Sequence, residues 1–188
     1  MKSGRHMIYL SDDNLIAKGS ERACYQHPEH SDLCIKIRYN IKRRRDENTS
    51  EYNYIKKMKF AIDSAPVSFP IEWVETNLGR GLVFPLIKDH TGNISKTVSS
   101  SYIEKSIDKE SLLPLYLDFK KKMVEQNIAV TDPKPQNIVI KKINEQRSTL
   151  ILIDGFGQSN LINIPYFLKR QTIRRITRSF EKLFRSSK

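Results

Sequence analysis

Apolar and polar residues alternate along the first half of the chain and change to helical spacing along the second. Asn14 to Lys18 predicts a short strand leading to Gly19-Ser20, and Arg22 to Gln26 returns as its hairpin partner, closed by the turn His27-Pro28-Glu29-His30. Leu33-Cys34-Ile35-Lys36-Ile37 predicts an apolar strand with one lysine near its end. A helix is predicted from Asp46 to Ile62, capped by Asp46 or Asn48, with Tyr54, Ile55, Met58 and Ile62 on its buried face and Pro66 beyond it. Phe69 to Glu75 and Gly81 to Ile87 predict two more strands, joined at Asn77-Leu78-Gly79. The polar stretch Lys88 to Ser101 is expected to be a connector. Beyond it, Leu112, Leu115, Leu117, Phe119, Met123 and Val124 mark a helix from about Lys109 to Gln126. Ile138 to Ile143 and Leu150 to Ile153 predict two short strands, and Ile164 to Phe184 a helical region with Pro165 tolerated in its first turn.

Strands thus dominate before residue 88 and helices after it. The pattern predicts an α+β chain with a sheet lobe over residues 7–87 and a helical lobe over 88–188. The opening Met1-Lys2-Ser3-Gly4-Arg5-His6 reads as a vector-derived leader, which makes Met7 the expected native start. No apolar run approaches the roughly 20 residues of a membrane span, and no apolar signal segment opens the chain. Two cysteines, Cys24 and Cys34, match neither a disulfide framework nor a metal spacing, so reduced thiols and a cytoplasmic location are expected. The four histidines complete no zinc shell. The net charge of +12 gathers in Lys42-Arg43-Arg44-Arg45, in Lys120-Lys121-Lys122 and in the last twenty residues. Such charge attracts phosphate-bearing partners: nucleotides, nucleic acid or an anionic membrane face.

Candidate chemistry concentrates in Thr131-Asp132-Pro133-Lys134-Pro135-Gln136-Asn137, followed seventeen residues after Asn137 by Asp154-Gly155-Phe156-Gly157. An acid, a lysine two residues on, an asparagine five residues on and a second acid at a strand end suit phosphoryl transfer. Asp132 can orient or deprotonate a hydroxyl, Lys134 can offset charge on the γ-phosphate, and Asn137 with Asp154 can hold Mg²⁺. The plainer alternatives are an Asp-Pro turn and a strand cap. Lys36, inside an apolar strand, needs a counter-charge. Glu51 is the expected partner, orienting the lysine toward α- and β-phosphates, with Glu47 one turn earlier as its rival. The plainer alternative is a lysine reaching out from a strand edge. Gly19-Ser20 is either a reduced phosphate loop offering backbone N–H groups or an ordinary hairpin turn. In the C-terminal region, Ile173, Ile176, Phe180, Leu183 and Phe184 form an apolar stripe lined by Lys169, Arg170, Arg174, Arg175, Arg178, Lys182 and Arg185. That helix is expected either to pack on the lobe with a solvated basic face or to lie on anionic lipid.

From Leu15 to about Arg178 the chain resembles the bacterial PhoP-regulatory-network YrbL family, a minimal branch of the protein-kinase-like fold. The resemblance rests on Gly19 to Glu29, with its Arg22, Cys24, Tyr25 and His27-Pro28, and on Leu33 to Ile37, Val74 to Gly81, Lys134 to Ile138 and Asp154 to Gly157. It implies a bilobal fold with a small β-rich N-lobe and a reduced helical C-lobe, using ATP and Mg²⁺. In it Lys36 and Glu51 orient the nucleotide, Asp132 takes the catalytic-base position, and Asn137 and Asp154 take the metal positions. Phe84, Leu86 and Ile87 are then expected to hold the adenine. The usual His-Arg before the catalytic aspartate is replaced by Val130-Thr131, and Asp154-Gly155-Phe156-Gly157 carries an extra glycine. Little more than thirty residues follow, too few for a long activation segment, which implies a short open acceptor site. The expected activity is a phosphotransferase acting on a hydroxyl. The favoured acceptor is a sugar of a lipid-linked glycan such as lipopolysaccharide core, by similarity to lipopolysaccharide sugar kinases. Peripheral contact with the cytoplasmic face of the inner membrane is expected through the basic helix, and no specific nucleic-acid partner. The alternative is a pseudokinase-type nucleotide-binding or scaffolding regulator in an envelope-stress network.

Overall fold

The computed structural model describes residues 7–42, 46–57, 65–157 and 165–185, with side chains from 169 onward in the last segment. The leader, Arg43 to Arg45, and Met58 and Ile62 of the predicted helix face lie outside the described residues. The fold is mixed α+β, and the chain divides into two compact units, one of Met1–Lys56 with Phe69–Leu86 and the other of Lys57–Ser68 with Ile87–Lys188.

The first unit is built on β1 (Met7–Ile8), β2 (Leu15–Lys18), β3 (Arg22–Gln26), β4 (Leu33–Arg38), β5 (Trp73–Thr76) and β6 (Gly79–Pro85). They form one sheet in the order β1-β5-β6-β4-β3-β2, antiparallel throughout except for β1 beside β5. Side chains alternate across a strand, so β4 divides the sheet into two faces. Ile35 and Ile37 join Val83, Ile8 and Leu10 in an apolar core on one face, with Tyr25, Leu33 and Val74 packed against it. Gly81 is glycine because a Cβ there would stand 2.4 Å from the Ile35 side chain. Cys34 and Lys36 occupy the other face, opposite Phe84 and Leu82 of β6, with Cys24 of β3 opposite Lys36.

Helix α1 (Glu47–Lys57) docks through polar groups, since Asn48, Glu51 and Tyr54 are its buried residues. Its start is set by Asp46, whose carboxylate accepts from the Thr49 amide at 3.2 Å and hydroxyl at 2.9 Å. The buried Glu21 adds a second acceptor for the helix N-terminus, at 3.1 Å from the Glu47 amide.

The second unit holds the hairpin of β7 (Ile138–Lys142) and β8 (Ser148–Leu152), with α2 (Val98–Ile103), α3 (Lys109–Glu125) and α4 (Pro165–Arg185). Helix α2 begins within the stretch expected to be a polar connector and runs two residues past its end. Thr97 caps it by accepting from the Ser100 amide at 3.0 Å, and Val98 and Ser101 are buried. Leu112, Phe119 and Met123 of α3 are fully buried, and α3 packs on β8 and α4. Tyr116 stacks on Phe180 at 4.2 Å between ring centroids. Ile176 and Phe180 of the α4 stripe are buried and Leu183 and Phe184 half-buried, while Ile173 is exposed and Arg174, Arg178 and Arg185 face outward. Burial of a side chain of that size contributes about 1.5–3 kcal/mol. Among the described residues no helix is long and apolar enough to cross a membrane.

Candidate functional site

Helix α3 ends on Asn127, whose φ of 54° lies in the left-handed region. The amides of Asn127 and Ile128 return to the carbonyls of Val124 at 3.2 Å and Met123 at 2.9 Å, the two bonds of a Schellman stop. The chain leaves this stop as the buried run Ile128-Ala129-Val130 and enters the Asp132 loop. Val130 bridges Phe156, and the Gly157 amide donates to the Ala129 carbonyl at 2.8 Å. The Gly155 carbonyl accepts from both Thr131 and Asp132 amides, at 2.7 and 3.0 Å. The Asp132 loop and the Asp154-Gly155-Phe156-Gly157 segment are therefore one hydrogen-bonded assembly.

Gly155 makes that approach feasible. Its φ is 79°, and a Cβ there would sit 2.6 Å from the Asp132 carbonyl oxygen. Beyond Asp132 the loop tightens: the Lys134 amide donates to the Asp132 carbonyl at 2.8 Å, Pro133 is buried, and Pro135 opens a 3-10 turn over Pro135–Asn137. The Asn137 side-chain amide donates to the Asp132 carbonyl at 2.9 Å and lies 3.4 Å from its carboxylate. The Asn137 carbonyl in turn accepts from Ile153 at 2.8 Å, next to Asp154. Asp132, Lys134, Asn137 and Asp154 thus share one end of the β7–β8 hairpin.

Lys134 Nζ stands 3.0 Å from Asp132 Oδ2, with both side chains about half exposed. An ion pair at that exposure contributes no more than about 1 kcal/mol, so it opens readily for a ligand. Asn137 turns its NH₂ toward Asp132, so its amide oxygen is not the atom that meets Asp132. Together with the Asp154 carboxylate it offers hard oxygen donors that fit Mg²⁺, an ion usually held by one or two carboxylates plus phosphate oxygens and water. No cluster of three or more His, Cys, Asp or Glu side chains forms a metal cage among the described residues.

The other candidates lie in the first unit, apart from Ile87, which opens the last segment of the second. Lys36 is buried at 7% exposure, with Nζ 4.1 Å from the centroid of the Phe84 ring, which is itself fully buried. The Asn48 side-chain amide donates to the Lys36 carbonyl at 2.9 Å, so α1 sits directly on the Lys36 position of β4. The Glu51 carboxylate is held by Arg22 at 2.7 Å, and Arg22 also donates to Asn48 at 2.8 Å and lies 3.5 Å from Glu47. Gly19 and Ser20 are exposed. The Gly19 amide donates to the Arg22 carbonyl at 2.8 Å, and the carbonyls of Gly19 and Ser20 accept from Tyr39 and Asn40. The Gly19 N–H expected to meet phosphate is therefore used within the turn. Leu86 and Ile87 are half-buried, and the Leu86 amide donates to the Asp32 carbonyl at 2.7 Å.

Arg22 and Arg175 were not among the expected site residues. Arg22 carries the signal that singled out Lys36: a cation among apolar strand residues that must find a buried acid. Arg175 donates to the Val130 carbonyl, and the Thr172 hydroxyl donates to the Ile128 carbonyl at 3.0 Å. Backbone acceptors carry no residue signature, so neither contact is legible in sequence.

Comparison with known proteins agrees with the resemblance seen in the motifs. The chain is 29% identical over 180 residues to a protein of Escherichia coli K12 named "Uncharacterized protein YrbL", covering 94% of this chain and 86% of that one. The same values hold for the protein of that name in Shigella flexneri. The family profile described as "PhoP regulatory network protein YrbL" matches residues 8–188, and the chain belongs to that family.

Proposed function

We propose that this protein is a small kinase-like phosphotransferase that uses Mg-ATP to phosphorylate a hydroxyl acceptor. The observation that carries the reading is the Gly155-centred assembly, in which one carbonyl receives the amides of Thr131 and Asp132 while the Asn137 carbonyl receives the amide of Ile153, the residue before Asp154. Strand order in the sheet, a lysine on its central strand and a helix docked beside that lysine further support it. In this reading Asp132 orients the acceptor hydroxyl and takes its proton, and Lys134 swings from Asp132 toward the transferring phosphoryl group. Asn137 and Asp154 would hold Mg²⁺, which supplies charge neutralisation at the phosphate oxygens when bound. Lys36 orients the nucleotide, Arg22 keeps Glu51 in position beneath it, and Phe84, Leu86 and Ile87 serve the adenine. Such chemistry is mostly positioning and electrostatics.

For the acceptor we favour a sugar hydroxyl on a lipid-linked glycan such as lipopolysaccharide core, met at the cytoplasmic face of the inner membrane. The outward charge of α4 supports approach to an anionic surface, and the burial of Ile176 and Phe180 favours attraction by charge over insertion. A regulator that binds nucleotide without turnover is the second reading. It is favoured by the family's description as a regulatory-network protein and by the use of the Gly19 amide within its own turn.

Calorimetric titration of ATP with and without Mg²⁺, on the wild type and on Asp154→Ala, tests the site. Mg-dependent binding that Asp154→Ala removes is the expected result. Binding followed by failure to phosphorylate a panel of lipopolysaccharide sugars selects the regulator. The absence of ATP binding in both proteins overturns the nucleotide reading.

A further inference from the structure

The two cysteines of the chain lie on adjacent antiparallel strands. Cys24 of β3 stands opposite Lys36 of β4, and Cys34 of β4 stands opposite Gln26 of β3. Two-residue alternation puts both thiols on the same face of the sheet, as diagonal neighbours. They are in hydrogen-bond contact with each other. Cys34 is 4% exposed, Cys24 is half-buried, and no disulfide joins them. That contact and burial push the Cys34 thiol well above its ordinary range, partly opposed by the Lys36 charge.

We propose that Cys24 and Cys34 form a peroxide-oxidisable dithiol that closes reversibly to an intramolecular disulfide. Cys24, the more accessible thiol, reacts first. Its sulfur attacks one peroxide oxygen, the O–O bond breaks, and the departing hydroxide leaves as water with the thiol proton. Cys24 becomes a sulfenic acid, oxidised by two electrons. Cys34 then attacks the sulfenic sulfur, its proton passes to the leaving hydroxyl, the S–O bond breaks and a second water departs. Two thiols and one peroxide give one disulfide and two waters. Cys34 suits the resolving role by position, because it lies on the same face as Cys24 and is too buried to meet peroxide first.

Strand geometry makes the bond labile. Diagonal neighbours have Cα atoms about 7–8 Å apart, whereas a relaxed disulfide requires about 4.4–6.8 Å. Closure must shift Cys24 and Cys34 toward each other along the paired strands, against the β3–β4 register, and a bond under that strain is readily reduced. The chemistry is independent of the nucleotide reading, and its test does not use ATP.

The test treats the whole reduced chain with hydrogen peroxide, removes the excess with catalase, unfolds it and alkylates remaining thiols before intact-mass measurement. The expected product is a monomer lighter by two hydrogens with neither thiol alkylated, and dithiothreitol restores both. Peptide mapping should recover the Cys24–Cys34 linkage from the wild type, which keeps the test valid if a variant misfolds. Cys24→Ser should leave Cys34 alkylatable after the same exposure, and Cys34→Ser should leave Cys24 as a sulfenic acid captured by dimedone. Oxygen added to Cys24 with Cys34 still alkylatable, disulfide-linked dimers, or two unreacted thiols in the wild type would each overturn the proposal.

Discussion

Gly155 and Gly92 both adopt positive φ, 79° and 85°, but differ in what surrounds them. A Cβ at Gly92 meets nothing within 4 Å, whereas one at Gly155 collides with the Asp132 backbone. Gly92→Ala should therefore cost only backbone strain, about 1–2 kcal/mol. Gly155→Ala should exceed it, because either the Asp132 loop or the 155–157 segment has to move. Urea midpoints of the two variants measure the difference, and equal shifts would show that the loop gives way freely. His27 carries a second residue-scale prediction. It is nearly buried against the His30 ring at 4.7 Å between centroids. Burial first, and the His30 charge second, hold its pKa below the ordinary 6.5. The unfolded chain then binds the proton more readily than the folded one, so stability is fully present above about pH 6.5 and falls as pH drops below it. His27→Gln should flatten that slope in a denaturation series across acidic pH. Lys36 and Arg22 mark what single residues disclose. A cation in an apolar strand announces a buried partner, but nothing in the order of residues says that Arg22, fourteen positions before Lys36, also reaches Glu51.

At the scale of elements, periodicity predicts what local spacing determines. Strand β3 and the extent of α3 match the predicted ranges within one residue. Strand β1 escapes notice because two residues carry no period and its partner β5 lies far along the chain. Helix α2 is hidden by its serines, which favour turns in isolation, and the Thr97 cap with buried Val98 reverses that preference. The stretch expected as one strand from Phe69 to Glu75 pairs with β6 from Trp73 onward, while Val67 before it bridges Leu152. Two elements are held by polar contacts whose loss can be measured. Arg22→Ala withdraws a buried guanidinium from Glu51 and Asn48, and should cost about 3–5 kcal/mol in chemical denaturation. A loss below about 1 kcal/mol would mean that water or a neighbouring cation replaces it. Thr172→Val removes the hydroxyl donor to Ile128 with little change of volume, and should cost about 1 kcal/mol. Faster amide exchange confined to residues 128–132 would locate the effect in the segment that feeds Asp132, and an unchanged exchange pattern would remove α4 from that role.

At the scale of the whole molecule, charge is the property that composition states most directly and places least. The +12 net charge is evident in sequence, but only the packing of α4 shows that its apolar stripe faces α3. Binding to vesicles of anionic lipid is therefore expected to be abolished by high salt, and neutral vesicles should bind nothing. Salt-resistant binding would mean that α4 leaves α3 to insert. The candidate site was legible as a set of residues, Asp132, Lys134, Asn137 and Asp154, because oxygen and amine groups at fixed offsets around prolines constrain a loop. The clamps that hold it were not, because Thr172 and Arg175 recognise backbone carbonyls that any residue supplies. That division has a consequence for biogenesis. Every candidate site residue leaves the ribosome before Thr172 and Arg175 do, so a nascent chain displays the Asp132 loop while the Ile128 and Val130 carbonyls still await their donors. Competence would then arrive abruptly with translation of α4, and a chain stalled short of it would be synthesised with its chemistry present and its geometry unset.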